Sequence, residues 1–160
     1  YNYGNLCQRV FAFINKNCNS KIPSCNKLEE DDKKLNNQIT ESLSELRNLM
    51  DNQELNQYLK KIINVSFNVN KYFNDQKPWS LKEKNPERMN TILYVVLNQI
   101  RSISVLLNPI IPKATEKVLS ILSVGKTDIK IDSLKDTKIL KVGTILKKSD
   151  ILFKKIENDN

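Results

Sequence analysis

The sequence predicts an all-α fold, a bundle of about five helices with an irregular C-terminal tail. Three observations predict it. Apolar residues recur at spacings of three and four through most of the first 122 positions, which lines them up on helix faces. Asn85–Pro86 and Pro112 are helix-start signals, because proline at the first helical position sacrifices no hydrogen bond and asparagine caps exposed amides. No repeat of fixed period appears, which argues against a solenoid. A chain of 160 residues is long enough to bury a core as one domain.

The first helix is read from Tyr3, Leu6, Val10, Phe13 and Ile14, which form one stripe. Asn5, Arg9, Ala12 and Lys16 occupy the opposite face. The chain opens inside this pattern without an N-cap and reads as cut from something longer. After a loop around Pro23, a long second helix is expected from about Glu29 to Met50, buried through Leu35, Ile39, Leu43, Leu46 and Met50. The acidic run from Glu29 to Asp32 sits at its positive dipole end. A polar break at Asp51 and Asn52 leads to a third helix, ending near Asp75, with Leu55, Leu59, Ile62, Ile63, Val69 and Phe73 as its apolar face. The fourth, from Pro86 to about Asn108, carries apolar residues over so wide an arc that it is expected to be the central, most buried helix. Pro109 stops it. Pro112 opens a short fifth helix through Leu122, with Gly125 as its terminator. Beyond Gly125 small apolar and charged residues alternate, so residues 124–160 are set apart as a tail of short extended pieces or docked chain and residues 1–123 as the bundle.

Composition narrows the chemistry. The chain has no histidine, which excludes histidine triads and histidine metal clusters. Its three glycines are too scattered for a P-loop or a dinucleotide fingerprint. The acidic cluster at Glu29–Asp32 is explained by helix-end electrostatics, since consecutive helical residues point in different directions. No catalytic, cofactor or metal site is expected. Cys7, Cys18 and Cys25 are odd in number and lack zinc-site spacing, so a reducing, cytoplasmic setting is expected. No uncharged apolar stretch approaches a membrane span, so no membrane partner is expected either. Twenty-six basic against eighteen acidic residues leave a net charge of +8, which suits a polyanion partner and equally a lysine-rich solvated surface.

Three segments in order, "YGNLCQRVFAFINK", "YFNDQKPW" and "LLNPIIPKATEKVLSIL", resemble the helical anticodon-binding domain of bacterial-type methionyl-tRNA synthetases, and the closing "LFKKIE" is similar to that family's terminal segment. The resemblance runs from the first helix to the tail, and its specificity lies in the order and spacing of the segments. It implies a helical bundle that follows a Rossmann-type catalytic domain and reads the CAU anticodon of methionine tRNA. Class I synthetases carry HIGH-type and KMSKS-type motifs for activating methionine with ATP, and this chain contains neither. The fragment is therefore expected to bind tRNA without charging it. The tail is expected to pack toward the catalytic domain.

The resemblance also implies the contact residues. An asparagine and an arginine of the first helix and a tryptophan after the third meet the anticodon bases in the family; here they are Asn5, Arg9 and Trp79. Asn5 and Arg9 are four apart, on one helical face opposite the apolar stripe. An indole stacks on an unpaired base, while asparagine and arginine read its edges. Pro78 restricts the conformation of Lys77 and stiffens the approach to the ring. Many family members carry a small residue where this chain has Lys77. Lys71, Lys77, Lys82, Lys84 and Arg88 surround the same region in sequence as possible phosphate contacts. Two readings remain beside this one: the anticodon domain of another class I synthetase (cysteinyl, valyl, leucyl or isoleucyl), and a helical scaffold that binds protein partners through its second helix. The QKPW segment with Asn5 and Arg9 favours methionyl.

Overall fold

A computed structural model describes residues 2–148; the "LFKKIE" segment lies outside the described residues. Five α-helices follow one another: α1 (Asn2–Asn17), α2 (Glu30–Asp51), α3 (Leu55–Gln76), α4 (Pro86–Leu107) and α5 (Pro112–Ile121). Among the described residues the one β feature is an isolated antiparallel bridge between Lys21 and Ile145. The all-α expectation holds, and the helix bounds fall close to those given by periodicity and capping.

α4 is the axis of the bundle, packed against α1, α2, α3 and α5. From Met89 to Leu107 every residue except Asn90 is buried. Fully burying an aliphatic side chain contributes roughly 1.5–3 kcal/mol, so this helix with its neighbours supplies most of the driving force. α4 is also long and apolar enough to cross a membrane, but the other helices wrap it, as they do the core helix of a helical bundle. Its start is set as expected: the Asn85 side chain accepts a hydrogen bond from the Arg88 amide at 3.2 Å, and Pro86 occupies the first turn.

Three details differ from the sequence expectation. On α3 the buried residues are Tyr58, Ile62, Val65, Ser66, Val69, Tyr72 and Phe73, whereas Leu55 and Ile63 are 46% and 47% exposed. The apolar set on that helix is broader than one stripe, so spacing did not separate its covered part from its bare part. On α1 Phe11 and Cys7 are buried, and Phe13 is half-buried at the edge of the core. α5 ends at Ser123 rather than Gly125. Ser123 adopts the left-handed conformation, φ 58°, its amide donates to the Ser120 carbonyl and the Val124 amide to that of Leu119. This is the Schellman arrangement that satisfies the last carbonyls, and Gly125 is left in an extended conformation.

The segment after α5 forms two short 3-10 turns, Lys126–Asp128 and Ile131–Lys135. Leu134, Leu140 and Leu146 enter the same core as the helices. Gly143, at φ 84°, takes a turn that L-residues resist. Its amide donates to the Ile22 carbonyl, while Ile22 donates to Thr144 and Leu146 to Ser20. The loop after α1 is thereby stitched to residues 143–146.

Candidate nucleic-acid interface

α1 and the C-terminal end of α3 lie side by side, and the short 3-10 turn Pro78–Ser80 follows directly. α3 ends at Gln76 because Lys77 takes the left-handed conformation, φ 48° and ψ 61°, with its amide donating to the Phe73 carbonyl at 3.3 Å. This is a single-bond helix stop of the kind glycine usually makes. Lys77 thus departs from the extended conformation that proline favours in the residue before it. The reversal turns Trp79 back over the end of α3.

Phe73 is the hub. The Trp79 ring meets it edge-on, with centroids 5.7 Å apart and planes at 65°. Phe13 meets it from α1 at 6.4 Å and 87°. The Arg9 guanidinium carbon stands 5.1 Å from the Phe73 centroid, within cation–π range. Arg9 Nη2 donates to Asn74 Oδ1 at 2.8 Å. Together Arg9, Ala12, Phe13, Lys16, Asn17, Phe73 and Trp79 line a shallow groove of about 490 Å³. Trp79 is buried on its Phe73 side and 47% exposed overall. Asn17 on the rim accepts from Lys82 Nζ at 3.0 Å.

Of the three residues singled out from the sequence, Arg9 and Trp79 are brought to this groove. Asn5 is exposed one helical turn before Arg9 on the same face of α1, beyond the residues that line it. Sequence reasoning missed Phe73 and Phe13 here because both fit apolar helix stripes, and it gave Asn74 no role. Ala12 and Lys16, already placed on the Asn5–Arg9 face, were the available signal.

The basic residues near the groove separate clearly. Lys71 pairs with Asp75 at 2.6 Å on the surface, Lys82 stands on the rim, and Lys84 is exposed. Arg88 is turned inward. Its side chain is 11% exposed and grips the wholly buried Asp32 with both amino groups, Nη1 to Oδ2 at 2.5 Å and Nη2 to Oδ1 at 2.9 Å. It also donates to Gln76 Oε1 at 3.0 Å, and Tyr72 donates its hydroxyl to Asp32. Arg88 is therefore no phosphate contact. Asp32 in turn accepts from the Glu29 amide at 2.9 Å in a capping box that opens α2. The acidic run is a buried tie as well as helix-end electrostatics. It fixes the start of α2, the start of α4 and the end of α3, from which Trp79 is hung.

An exposed indole beside a held guanidinium suits unpaired bases, which offer a flat face and hydrogen-bonding edges. The comparisons with known proteins place a helical bundle of this kind among the anticodon-binding domains of aminoacyl-tRNA synthetases. The family model described as the anticodon binding domain of methionyl tRNA ligase matches residues 22–160. The methionine–tRNA ligase of Brucella suis is 40% identical over 121 residues, 76% of this chain and 24% of that protein. That of Thermotoga maritima is 36% identical over 156 residues, 97% of this chain and 25% of that protein. Among solved structures, the apo form of Mycobacterium tuberculosis methionyl-tRNA synthetase is similar with a TM-score of 0.86 and 26% identity, covering 93% of this chain and 30% of that one. The same enzyme bound by methionyl-adenylate gives 0.85 and 26%, over 92% of this chain and 30% of that one. The chain belongs to the methionyl-tRNA ligase anticodon-binding domain family, and it spans about a quarter of the length of the curated relatives it matches. α1, with Asn5 and Arg9, precedes the residues matched by the family model, while the Thermotoga relative aligns with nearly the whole chain.

Lys77 carries a testable cost. A left-handed L-residue is disfavoured by roughly 1–2 kcal/mol, and glycine's greater backbone entropy offsets part of the relief. Lys77→Gly is expected to raise stability by up to about 1 kcal/mol, measured by urea denaturation. A loss of stability would mean the lysine side chain contributes packing that outweighs the strain.

Proposed function

We propose that this domain binds the anticodon loop of methionine tRNA and reads CAU, with Trp79 stacking on an unpaired base and Arg9 and Asn5 contacting base edges. The observation that carries the reading is the half-exposed Trp79 ring, braced on Phe73 beside an arginine that Asn74 and Phe73 already hold. A braced ring and a held cation lose little freedom on binding. Arg9, held by Asn74 and set over Phe73, lines the same groove as Trp79.

In the longer polypeptide the domain serves a cytoplasmic ligase that attaches methionine to its tRNA with ATP. ATP and methionine are substrates of the catalytic domain, and no cofactor is assigned to this fragment. Residues 124–160 are the part assigned to meet the catalytic domain, and among the described residues of that segment Val142 and Ile145, 57% and 63% exposed, offer it apolar surface.

The test is binding of a methionine anticodon stem-loop against one with its first anticodon base changed; equal affinities would sink base reading. Trp79→Ala is expected to weaken cognate binding by about 1–3 kcal/mol, the usual worth of base–aromatic stacking, and to erase the preference. The melting temperature should move little, since only one side of the ring is packed. Arg9→Ala should weaken binding with the fold retained. Steep weakening with salt is expected of an RNA ligand; binding insensitive to salt would favour a protein partner.

A further inference from the structure

Between the loop before α2, the middle of α4 and the segment laid over it lies a cavity of about 620 Å³, within the size range of small-molecule sites. It shares no residue with the Trp79 groove. Leu28, Val95 and Leu140 give it apolar walls, while Cys25, Asn98, Lys138 and Lys141 bring polar groups to it. No aspartate or glutamate is among its lining residues.

Asn98 gives the cavity its chemistry. It is 3% exposed, and it is oriented from behind, where Arg101 Nε donates to its Oδ1 at 3.1 Å. A guanidinium can only donate, so the oxygen of Asn98 is committed and the amide nitrogen Nδ2 is the end left over. That nitrogen has no partner among the described residues. An acceptor entering the cavity would satisfy it. The surrounding charges point the same way. Arg101 is wholly buried and its hydrogen-bond partners are neutral. Lys138 and Lys141 are exposed and make no ion pair among the described residues. Two acids close to the lining are engaged elsewhere: Asp32 is paired with Arg88, and Asp136 Oδ1 accepts from the Lys138 amide at 2.8 Å. A recess with one cation behind its wall and two at its mouth favours negative charge.

We propose that this cavity binds a small organic carboxylate with a compact apolar body. The body lies between Leu28, Val95 and Leu140, and the carboxylate accepts from the Asn98 amide and faces the two lysines. Apolar walls with a few convergent polar groups are the usual make-up of such sites. The assignment does not depend on which RNA the groove reads.

The test uses the two partly exposed thiols as they stand, because Cys25 lines the cavity and Cys18 does not. The chain is pulsed with N-ethylmaleimide while naphthalene carboxylate is titrated in, and each thiol's modification is read by peptide mass spectrometry. Saturating carboxylate should slow Cys25 at least about tenfold and leave Cys18 unchanged. Naphthalene carboxamide, the same shape without the charge, should need at least about tenfold more for half-protection. Asn98→Asp keeps an acceptor for Arg101 Nε and sets a carboxylate oxygen in place of the free donor. Compared with its own unliganded rate, this variant should show no protection, with the melting temperature held or raised. Lys138→Gln combined with Lys141→Gln should raise the half-protection concentration several-fold with the fold retained. The proposal is overturned by equal protection from carboxylate and carboxamide, by equal slowing of Cys18 and Cys25, by protection that survives Asn98→Asp or is untouched by the lysine pair, or by none at about 1 mM. Val142, which also lines the cavity, is among the surface offered to the catalytic domain, so the titration is repeated in the longer polypeptide. The same half-protection concentration is expected there. A Cys25 already unreactive without ligand would assign the cavity to a contact between domains and likewise overturn the proposal.

Discussion

Replacing Asp32 with alanine is expected to cost the bundle about 3–5 kcal/mol, the usual penalty for removing one partner of a buried, hydrogen-bonded ion pair. Folded domains have only about 5–15 kcal/mol in hand, so the variant should unfold at markedly lower urea. The loss comes from what is stranded. Arg88 loses both bonds of its two-pronged grip and Tyr72 its acceptor, while Glu29, 3.4 Å from Arg88 and mostly exposed, is a poor substitute. The amide of Glu29 loses its capping partner as well. Arg88→Lys should recover only part of the pair, because an ammonium cannot reproduce the paired geometry of a guanidinium on a carboxylate.

The same pair sets an acid limit. Burial alone pushes the Asp32 carboxyl up, but the hydrogen bonds from Arg88, Tyr72 and the Glu29 amide, with the charge of Arg88, more than reverse this and hold it below its ordinary value. A carboxyl depressed in the folded state gives stability that is present above its unfolded pKa and lost as pH falls through the folded one. The unfolded value is about 3.9, so the contribution is whole at neutral pH and drains away below about pH 4. Asp32→Asn should be less stable than the parent at pH 7, and the gap should narrow on acidification below that point. A gap of constant size from pH 7 to pH 2 would show that the carboxylate charge is not what Asp32 contributes. Burial together with Asp32 raises the Tyr72 phenol, which keeps it a donor throughout this range.

The fold was legible because its signals are local. Pro86 behind Asn85, the apolar arc of α4 and the stripe of α2 each follow from spacing and capping chemistry within a few turns. The groove was legible only in part. Asn5, Arg9, Ala12 and Lys16 share a face by periodicity, but that Phe73 holds both Arg9 and Trp79 depends on how α1 meets α3, and spacing carries no such information. The same limit hid Arg88. Next to Lys82 and Lys84 it reads as one more surface cation, and its partner Asp32 lies 56 positions away. Leu55 and Ile63 mislead in the opposite direction: their spacing is right for a core, yet they stand 46% and 47% exposed, because spacing along one helix does not say which part of a broad apolar face its neighbours cover.

Arg101 carries the second large effect. It is wholly buried on α4, and its partners are neutral: Nε donates to Asn98 Oδ1 at 3.1 Å, Nη1 to the Ser133 carbonyl at 3.3 Å and Nη2 to the Asp136 carbonyl at 2.7 Å. Burial pulls its pKa down from the ordinary arginine value, yet arginine stays protonated at any workable pH. The cation is offset by backbone dipoles and by the more distant charges of Asp136 and Asp128. These bonds fasten the 3-10 turn Ile131–Lys135 to the core helix, and Leu134 follows it inward. Arg101→Met fills similar volume but leaves two carbonyls without their donor. Hydrogen bonds to a charged group are worth about 1.5–3 kcal/mol each, and relief of the buried charge returns several, so a net loss of about 2–4 kcal/mol is expected. The loss should be localised. Amide exchange should accelerate first in residues 126–140, while α1, the end of α3 and stem-loop binding through Trp79 are retained at temperatures where the bundle persists. Uniform loss of protection across all five helices would show instead that Arg101 secures the whole core rather than the segment laid over it.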